Sequence, residues 1–311
     1  MQKYNIIVFG AGGVGAYYGG RLACNSNNNV IFITRGKHLD ALQKNGIVVH
    51  SIDGDFSMPV NASDTLDNDL PVADLIIIAV KSYDTDDAIG TIRGKVGLST
   101  QILTIQNGIE NYPKFVQEFG QDNVIEGYCA IGVEVTAPGI ISHTYYGTII
   151  FGEYNGTDSS RIKRLKTLFD KCNIKYHISP DIRHDVWKKF AWNCIFNILT
   201  TITGTTLDNI YNHPQTIQLC KNCFKEIQLV AKSQGVILTD TDQDWVINVA
   251  RSSKLLKTST LQDRLRNKRL EYETFTGTII RLAQASGIDV PINTVLYGLL
   301  KAVDIYDKKP V

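Results

Sequence analysis

The chain has 311 residues, enough for one large domain or two. Hydrophobic residues make up 43% and charged residues 20%, the balance of a soluble globular protein. A formal net charge of +1 gives no global field to draw nucleic acid or an acidic membrane, and no apolar run reaches the ~18 residues of a membrane span.

The opening "MQKYNIIVFGAGGVG" differs from a signal peptide: its apolar run is short and ends in glycines, as a first buried strand would. Strand and helix signals then alternate. "NIIVF" (5–9) reads as a strand, "AYYGGRLACN" (16–25) as a helix, "NVIFITR" (29–35) as a strand and "HLDALQKNG" (38–46) as a helix closed by glycine. "NSNNN" (25–29) reads as a surface turn. "ADLIIIAVK" (73–81) and "QILTIQ" (101–106) are unbroken apolar runs, the pattern of parallel strands buried on both faces. From 124 to 152 β-branched and aromatic residues predict further strands, with a hairpin around "GIISHTYYGTIIFG".

After Pro180 helical periodicity takes over, in segments 181–202, 214–235, 241–254, 268–287 and 292–307. The pattern predicts an α/β protein: a Rossmann-type doubly wound sheet domain over 1–180, then an all-helical C-terminal domain over 181–311. Six cysteines (24, 129, 172, 194, 220, 223), several in apolar surroundings, suit reduced thiols in a cytoplasmic protein. Cys220 and Cys223 form a CxxC within a helical pattern and lack a second pair. They read as small packing residues rather than a metal site, and no metal is expected.

"GAGGVG" (Gly10, Ala11, Gly12, Gly13, Val14, Gly15) fits GxGxxG between a strand and a helix, the context of a dinucleotide pyrophosphate site. At the end of the second strand an NAD site usually has a carboxylate. This chain has Arg35, which suits a 2′-phosphate and favours NADP(H); the alternative is an exposed strand-end arginine. Lys81 and Asn107 end later strands, where an open sheet faces its ligand, although a solvated lysine and a turn-forming Asn-Gly would look the same.

In "VWKKFAWNCIFN" (186–197), Lys189, Asn193 and Asn197 recur every four residues within an apolar helix. Each step of four turns about 40°, so they form one narrow stripe. Such groups need partners when buried, and a polar cleft supplies them. A lysine there can protonate the alkoxide formed when hydride reaches a ketone. The competing reading is two structural asparagines and a lysine reaching back to water. "STLQDRLRNKRLEYETFTG" (259–277) adds Ser259, Asp263 and Glu271, the last read as lying on an inward-packed helix; a cap or a surface ion pair would equally explain the first two. Seven basic residues against one acid between Arg251 and Arg269 read as solvated faces and a cleft rim, not a nucleic-acid site.

Together "GAGGVG", "TRG", "AVKSYD", "QNG", "DIRHDVWKKFAWNCIFN" and "STLQDRLRNKRLEYETFTG" resemble the ketopantoate reductase (2-dehydropantoate 2-reductase) family from Gly10 to about residue 300. The resemblance implies NADPH-dependent reduction of 2-dehydropantoate to (R)-pantoate, in the cytoplasm, in pantothenate and coenzyme A synthesis, by a monomer or homodimer. It implies Lys189 as general acid and Asn193, Asn197 and Ser259 as substrate contacts. Asn107 and Glu271 would bridge cofactor and substrate, Gly132 would lie near the nicotinamide, and Lys81 would line the cofactor cleft between the domains. Ile198 stands where the family often has proline, and "TTITGTTLDN" lacks an asparagine some members use for substrate. Another 2-oxo acid is therefore an alternative substrate. A non-catalytic NADP-binding sensor is a further alternative, disfavoured by Lys189 and Glu271.

Overall fold

The computed structural model describes residues 3–252 and 257–304, the side chains of 250–252 excepted. Among the described residues there are ten strands: β1 (Tyr4–Phe9), β2 (Asn28–Ile33), β3 (Ile47–Ser51), β4 (Phe56–Met58), β5 (Asn61–Ser63), β6 (Leu75–Ile78), β7 (Gln101–Thr104), β8 (Val124–Ala137), β9 (Ile140–Gly152) and β10 (Lys175–Ile178). They form one sheet in the order β4-β3-β9-β8-β7-β6-β1-β2-β5, with β10 also pairing to β9. Pairing is parallel except in β8·β9 and β3·β4. This is a mixed, Rossmann-like sheet.

Its central strands are apolar on both faces because both are covered. Ile6, Val8, Leu75 and Ile77 belong to one buried cluster. Ile7, Phe9, Ile76 and Ile78 belong to another. Side chains alternate across a strand, so an unbroken apolar run fills both layers at once. The covering helices are α1 (Gly13–Ala23), α2 (Gly36–Asn45), α3 (Thr85–Ile92), α4 (Asn111–Phe119) and α5 (Ser160–Lys171). β1 has β2 on one side and β6 on the other, so the strand order reverses between β1 and β6. A crevice opens at such a switch point, beyond the carboxyl ends of the strands.

Three details differ from the sequence reading. β3, β4, β5, β10, α3, α4 and α5 are not among the predicted elements: β4, β5 and β10 are short and polar, whereas α5 does carry buried Ile162, Leu165, Leu168 and Phe169 at helical spacing. The stretch 139–152 is not a hairpin: the turn lies at Pro138-Gly139, and β9 runs on through a bulge at Tyr146 (φ 56) and Gly147 (φ 102). The predicted strands at 73–81 and 101–106 end early, at Ile78 and Thr104, and the polar residues after them form turns.

The remaining helices are α6 (Ile182–Trp192), α7 (Ile198–Thr203), α8 (Leu207–Tyr211), α9 (Pro214–Ser233), α10 (Asp240–Ser252), α11 (Ser259–Leu265), α12 (Thr278–Ser286) and α13 (Pro291–Val303). They share a core that includes Phe190, Phe196, Phe224 and Phe275. Cys194, Cys220 and Cys223 are buried in it as free thiols, and burial pushes Cys220 up to about 12. Two compact units result: Met1–Asn107 with Asn111–Ile182, and Gly108–Glu110 with Arg183–Val311. The ends of the predicted helices 241–254 and 292–307, and the Arg251 and Lys254 side chains, lie outside the described residues.

Two π-turns interrupt the helices, at Asn193–Asn197 between α6 and α7 and at Glu273–Gly277 before α12, and they touch each other. Glu271 is therefore not on a helix. It precedes the second π-turn, where its carbonyl accepts from the Thr274 and Phe275 amides. Among the described residues no helix is long and apolar enough to cross a membrane, and no group of three or more His, Cys, Asp or Glu could hold a metal ion.

Candidate active site

In the sheet unit the glycine loop lies at the switch point. Gly10 has φ +95, and a Cβ there would sit 2.6 Å from Val80 at the end of β6. A Cβ on Gly15 would lie 2.3 Å from the Gly10 carbonyl oxygen, so these two glycines are required by packing. Gly12 is different: nothing lies within 4 Å of its Cβ position. It is the N-cap of α1, no side chain caps that helix, and its first turn carries no acid. Amides at such an end point outward without intrahelical partners and attract an anion. Ala11 is buried, while Gly13 and Val14 are partly exposed. The donor set and the open space at Gly12 fit a pyrophosphate.

Three further sequence-predicted residues lie on β8 or just beyond β6 and β7. β8 passes against the glycine loop: a Cβ on Gly13 would meet the Glu134 Cα at 3.3 Å. Gly132 is buried two residues earlier in β8, opposite Tyr145 and next to a register shift. Lys81 follows β6 one residue after Val80 and is partly buried. Asn107 ends the β7 segment, and Gly108 after it has φ +93, so the Asn-Gly turn is real.

The sequence reading missed what holds that turn. The Gln106 side chain donates to the Val80 carbonyl (3.1 Å) and to the Thr85 hydroxyl (2.9 Å). Thr85 donates to the Asn111 side chain at 2.9 Å. Asn111 donates to Ser82 (3.2 Å) and to the Asn107 carbonyl (2.8 Å), which Ser82 also reaches at 3.1 Å. A buried network of this kind is rigid when fully satisfied. It fixes Lys81 and Asn107 at adjacent strand ends.

Arg35 ends the β2 segment as N-cap of α2, with its side chain 69% exposed. Its guanidinium lies 3.3 Å from the Asp84 carboxylate, a partner that sequence reading did not supply although "AVKSYD" contains it.

The helical unit gathers a second set. Asn193 and Asn197 bound the first π-turn and are 2% and 1% exposed. The Asn197 amide nitrogen is 3.4 Å from both the Asn193 side-chain oxygen and the Ser259 hydroxyl. Ser259 is the first residue of α11, and the cap is its neighbour Thr258, whose hydroxyl accepts from the Leu261 amide. Thr200 and Thr258 hydroxyls meet at 2.8 Å, and Arg264 donates to the Thr201 and Ile202 carbonyls. These contacts hold α11 against α7 and bring Ser259 to the asparagines. Buried Asn197 Oδ1 has no hydrogen-bond partner among the described residues, an acceptor left for a ligand.

Lys189 and Lys188 diverge. Lys189 Nζ sits over the Trp192 ring at 4.2 Å. Lys188 Nζ pairs with Asp185 at 3.0 Å and lies over Trp245. Glu271 is 2% exposed, and Asp263 is buried rather than a surface residue.

A glycine loop at the switch point of a Rossmann-like sheet, with a lysine and two buried amides on a separate helical unit, defines a dinucleotide-fold oxidoreductase with a helical second unit. A family profile described as ketopantoate reductase PanE/ApbA matches residues 6–156, and its C-terminal counterpart matches 181–304. The 2-dehydropantoate 2-reductase of Pyrococcus abyssi is 30% identical over 98% of this chain and 99% of its own. The structure of 2-dehydropantoate 2-reductase from Geobacter metallireducens GS-15 superposes with a TM-score of 0.88 at 28% identity, covering 96% of this chain and 99% of that one. A D-mandelate dehydrogenase solved with NADH and anilino(oxo)acetate shares the fold, with a TM-score of 0.88 at 20% identity over 96% and 98% of the two chains. The chain belongs to the ketopantoate reductase family of oxidoreductases.

Proposed function

We propose that the protein reduces 2-dehydropantoate to (R)-pantoate with NADPH. The observation that carries this reading is the convergence of Asn193, Asn197 and Ser259 in the unit that also holds Lys189. The sheet unit is assigned the cofactor. Amides of Gly12–Gly15 hold the pyrophosphate, and Arg35 meets the 2′-phosphate. Lys81, Asn107 and Gly132 complete the cofactor set on the strand ends. NADPH, when bound, supplies the hydride to the substrate carbonyl carbon.

The helical unit is assigned the 2-oxo acid. Lys189 Nζ donates a proton to the carbonyl oxygen as negative charge builds there. Asn193 and Ser259 orient the substrate, and Asn197 Oδ1, which has no partner among the described residues, accepts from its hydroxyl. Glu271, buried beside the π-turns, is assigned to positioning Lys189 and the substrate.

Asp84 supports a second reading on the cofactor. A carboxylate 3.3 Å from Arg35 would repel a 2′-phosphate and tolerate the ribose hydroxyls of NADH. NADPH binding therefore requires Arg35 to exchange Asp84 for phosphate. The test is initial-rate oxidation of NADPH and of NADH against a panel of 2-oxo acids. We expect 2-dehydropantoate to give the highest kcat/KM, and NADPH to be preferred by roughly ten- to a hundredfold, the worth of one charged hydrogen bond. Arg35→Ala removes the preference and Asp84→Asn increases it. Equal use of the two cofactors by the unmodified protein would move the assignment to NADH. Low activity on 2-dehydropantoate beside high activity on another 2-oxo acid would overturn the substrate.

A further inference from the structure

The "NSNNN" segment, read from sequence as a surface turn, forms one wall of a cavity of about 470 Å³ in the sheet unit. The other wall is one face of α5. Arg164 and Lys171, seven residues apart, lie nearly in line along it, and Lys163 lines the cavity about 100° further round the helix. Asn25 and Asn28 stand opposite, and Tyr4 closes one end. No carboxylate lines the cavity. A second cavity of about 460 Å³ adjoins it, sharing Asn25 and Lys171, and also has no carboxylate in its lining.

Three cations on one concave wall repel one another unless something neutralises them. Lys163 has a partial partner in Asp158 at 3.5 Å, with both side chains well exposed. Arg164 and Lys171 make no ion pair or hydrogen bond with any described residue. The facing wall offers the Tyr4 phenol and no acid, while the Asn28 amide already donates to the Leu22 carbonyl (2.8 Å) and to Cys172 Sγ (3.5 Å). Tyr4 itself is pushed up to about 12, first by burial and then by Asp74, so it remains a neutral hydrogen-bond donor. Cations and a phenol donor, with no carboxylate in the lining, are the complement of a compact polyanion. The volume falls in the range of small-molecule sites.

The cavity is separate from the glycine loop. Tyr4 and Asn28 are paired at the amino ends of β1 and β2, while the loop follows the carboxyl end of β1. A six-residue strand separates the two by about 17–20 Å.

We propose that this groove is a second binding site, for a soluble ligand carrying a di- or triphosphate-like group. The inference does not depend on the substrate or cofactor proposed above. The probe is inorganic tripolyphosphate, titrated calorimetrically into the full chain at low ionic strength, with hydrogen exchange followed in parallel. Protection is expected in 25–28 and 160–171. The double variant Arg164→Gln/Lys171→Gln should bind roughly ten- to a hundredfold more weakly. Arg164→Lys should retain most of the affinity, and Arg35→Ala should leave it unchanged. These side chains are exposed, and an unchanged melting temperature verifies that the variants fold. Protection confined to 10–15, or equal affinity in the double variant, would overturn the proposal. Co-sedimentation with phosphatidic acid vesicles that the double variant loses would reassign the groove to a lipid headgroup and overturn the soluble ligand.

Discussion

Lys188 and Lys189 are chemically identical neighbours, and the helix alone separates them. One residue of an α-helix turns about 100°, so they project from different faces. The asparagine spacing singles out Lys189, and that inference needs only the helical period. What the spacing cannot give is the environment of each amine, because Trp192, Asp185 and Trp245 reach them through packing. An ion pair with Asp185 leaves Lys188 a structural residue. Under saturating cofactor, Lys189→Ala should lower kcat by about 10²–10⁴-fold, the usual worth of a general acid. Lys188→Ala should leave kcat within about twofold, since it removes one partly exposed ion pair. Steady-state rates of both variants decide the matter: if Lys188→Ala is the inactive one, the acid is misassigned.

At the scale of elements, periodicity located most helices and the buried parallel strands, because each has a clear repeat. It failed where one extra residue is accommodated locally. The π-turns at 193–197 and 273–277 keep a nearly helical pattern of apolar residues, so nothing in the sequence marks them. Periodicity alone puts Glu271 on a helix for that reason. The Tyr146-Gly147 bulge likewise resembles a turn to anyone reading alternation alone. Caps made across the fold are equally hidden. Glu226 in the middle of α9 is 8% exposed and accepts from the Ile292 amide (2.8 Å), the Asn293 amide (3.0 Å) and the Asn293 side chain (2.8 Å). A carboxylate at the start of α13 also meets the positive end of that helix. Glu226→Ala should lower stability by about 2–3 kcal/mol, because it strands buried donors. All three tryptophans (187, 192, 245) belong to the helical unit, so their fluorescence in a urea titration reads this loss directly. An unchanged urea midpoint would show that α13 is held without the cap.

For the whole molecule, the change of pattern after Pro180 is legible, but the transfer of Gly108–Glu110 to the helical unit is not, since it depends on contacts far along the chain. The two units also differ in how acid acts on them. In the sheet unit His143 is 1% exposed, with Nδ1 2.8 Å from the Ser51 hydroxyl. Burial lowers its pKa below the ordinary imidazole value, and Asp53 only partly offsets this. A depressed imidazole pKa means that unfolding takes up a proton once pH falls below the unfolded value of about 6.5. The stability from keeping His143 neutral is therefore present above that pH and lost as pH falls through the folded pKa. In the helical unit Asp242 is the resolved case. Burial raises its pKa, but hydrogen bonds from the Thr239 amide (2.7 Å) and hydroxyl (2.8 Å) and from His184 (3.1 Å) outweigh burial and leave it lowered. That contribution persists down to the unfolded carboxylate value of about 3.9 and is lost only below it. The sheet unit should accordingly weaken first, beginning near pH 6.5, and the helical unit only below about pH 4. Amide exchange in β1 and β7 reports the first event, and tryptophan fluorescence during thermal unfolding reports the second. His143→Gln should move the onset in the sheet unit downward, toward the range where Asp53 and Glu153, also lowered by their basic partners, take up protons. Coincident loss in both units at one pH, unchanged in His143→Gln, would show that His143 does not set the acid limit of the sheet.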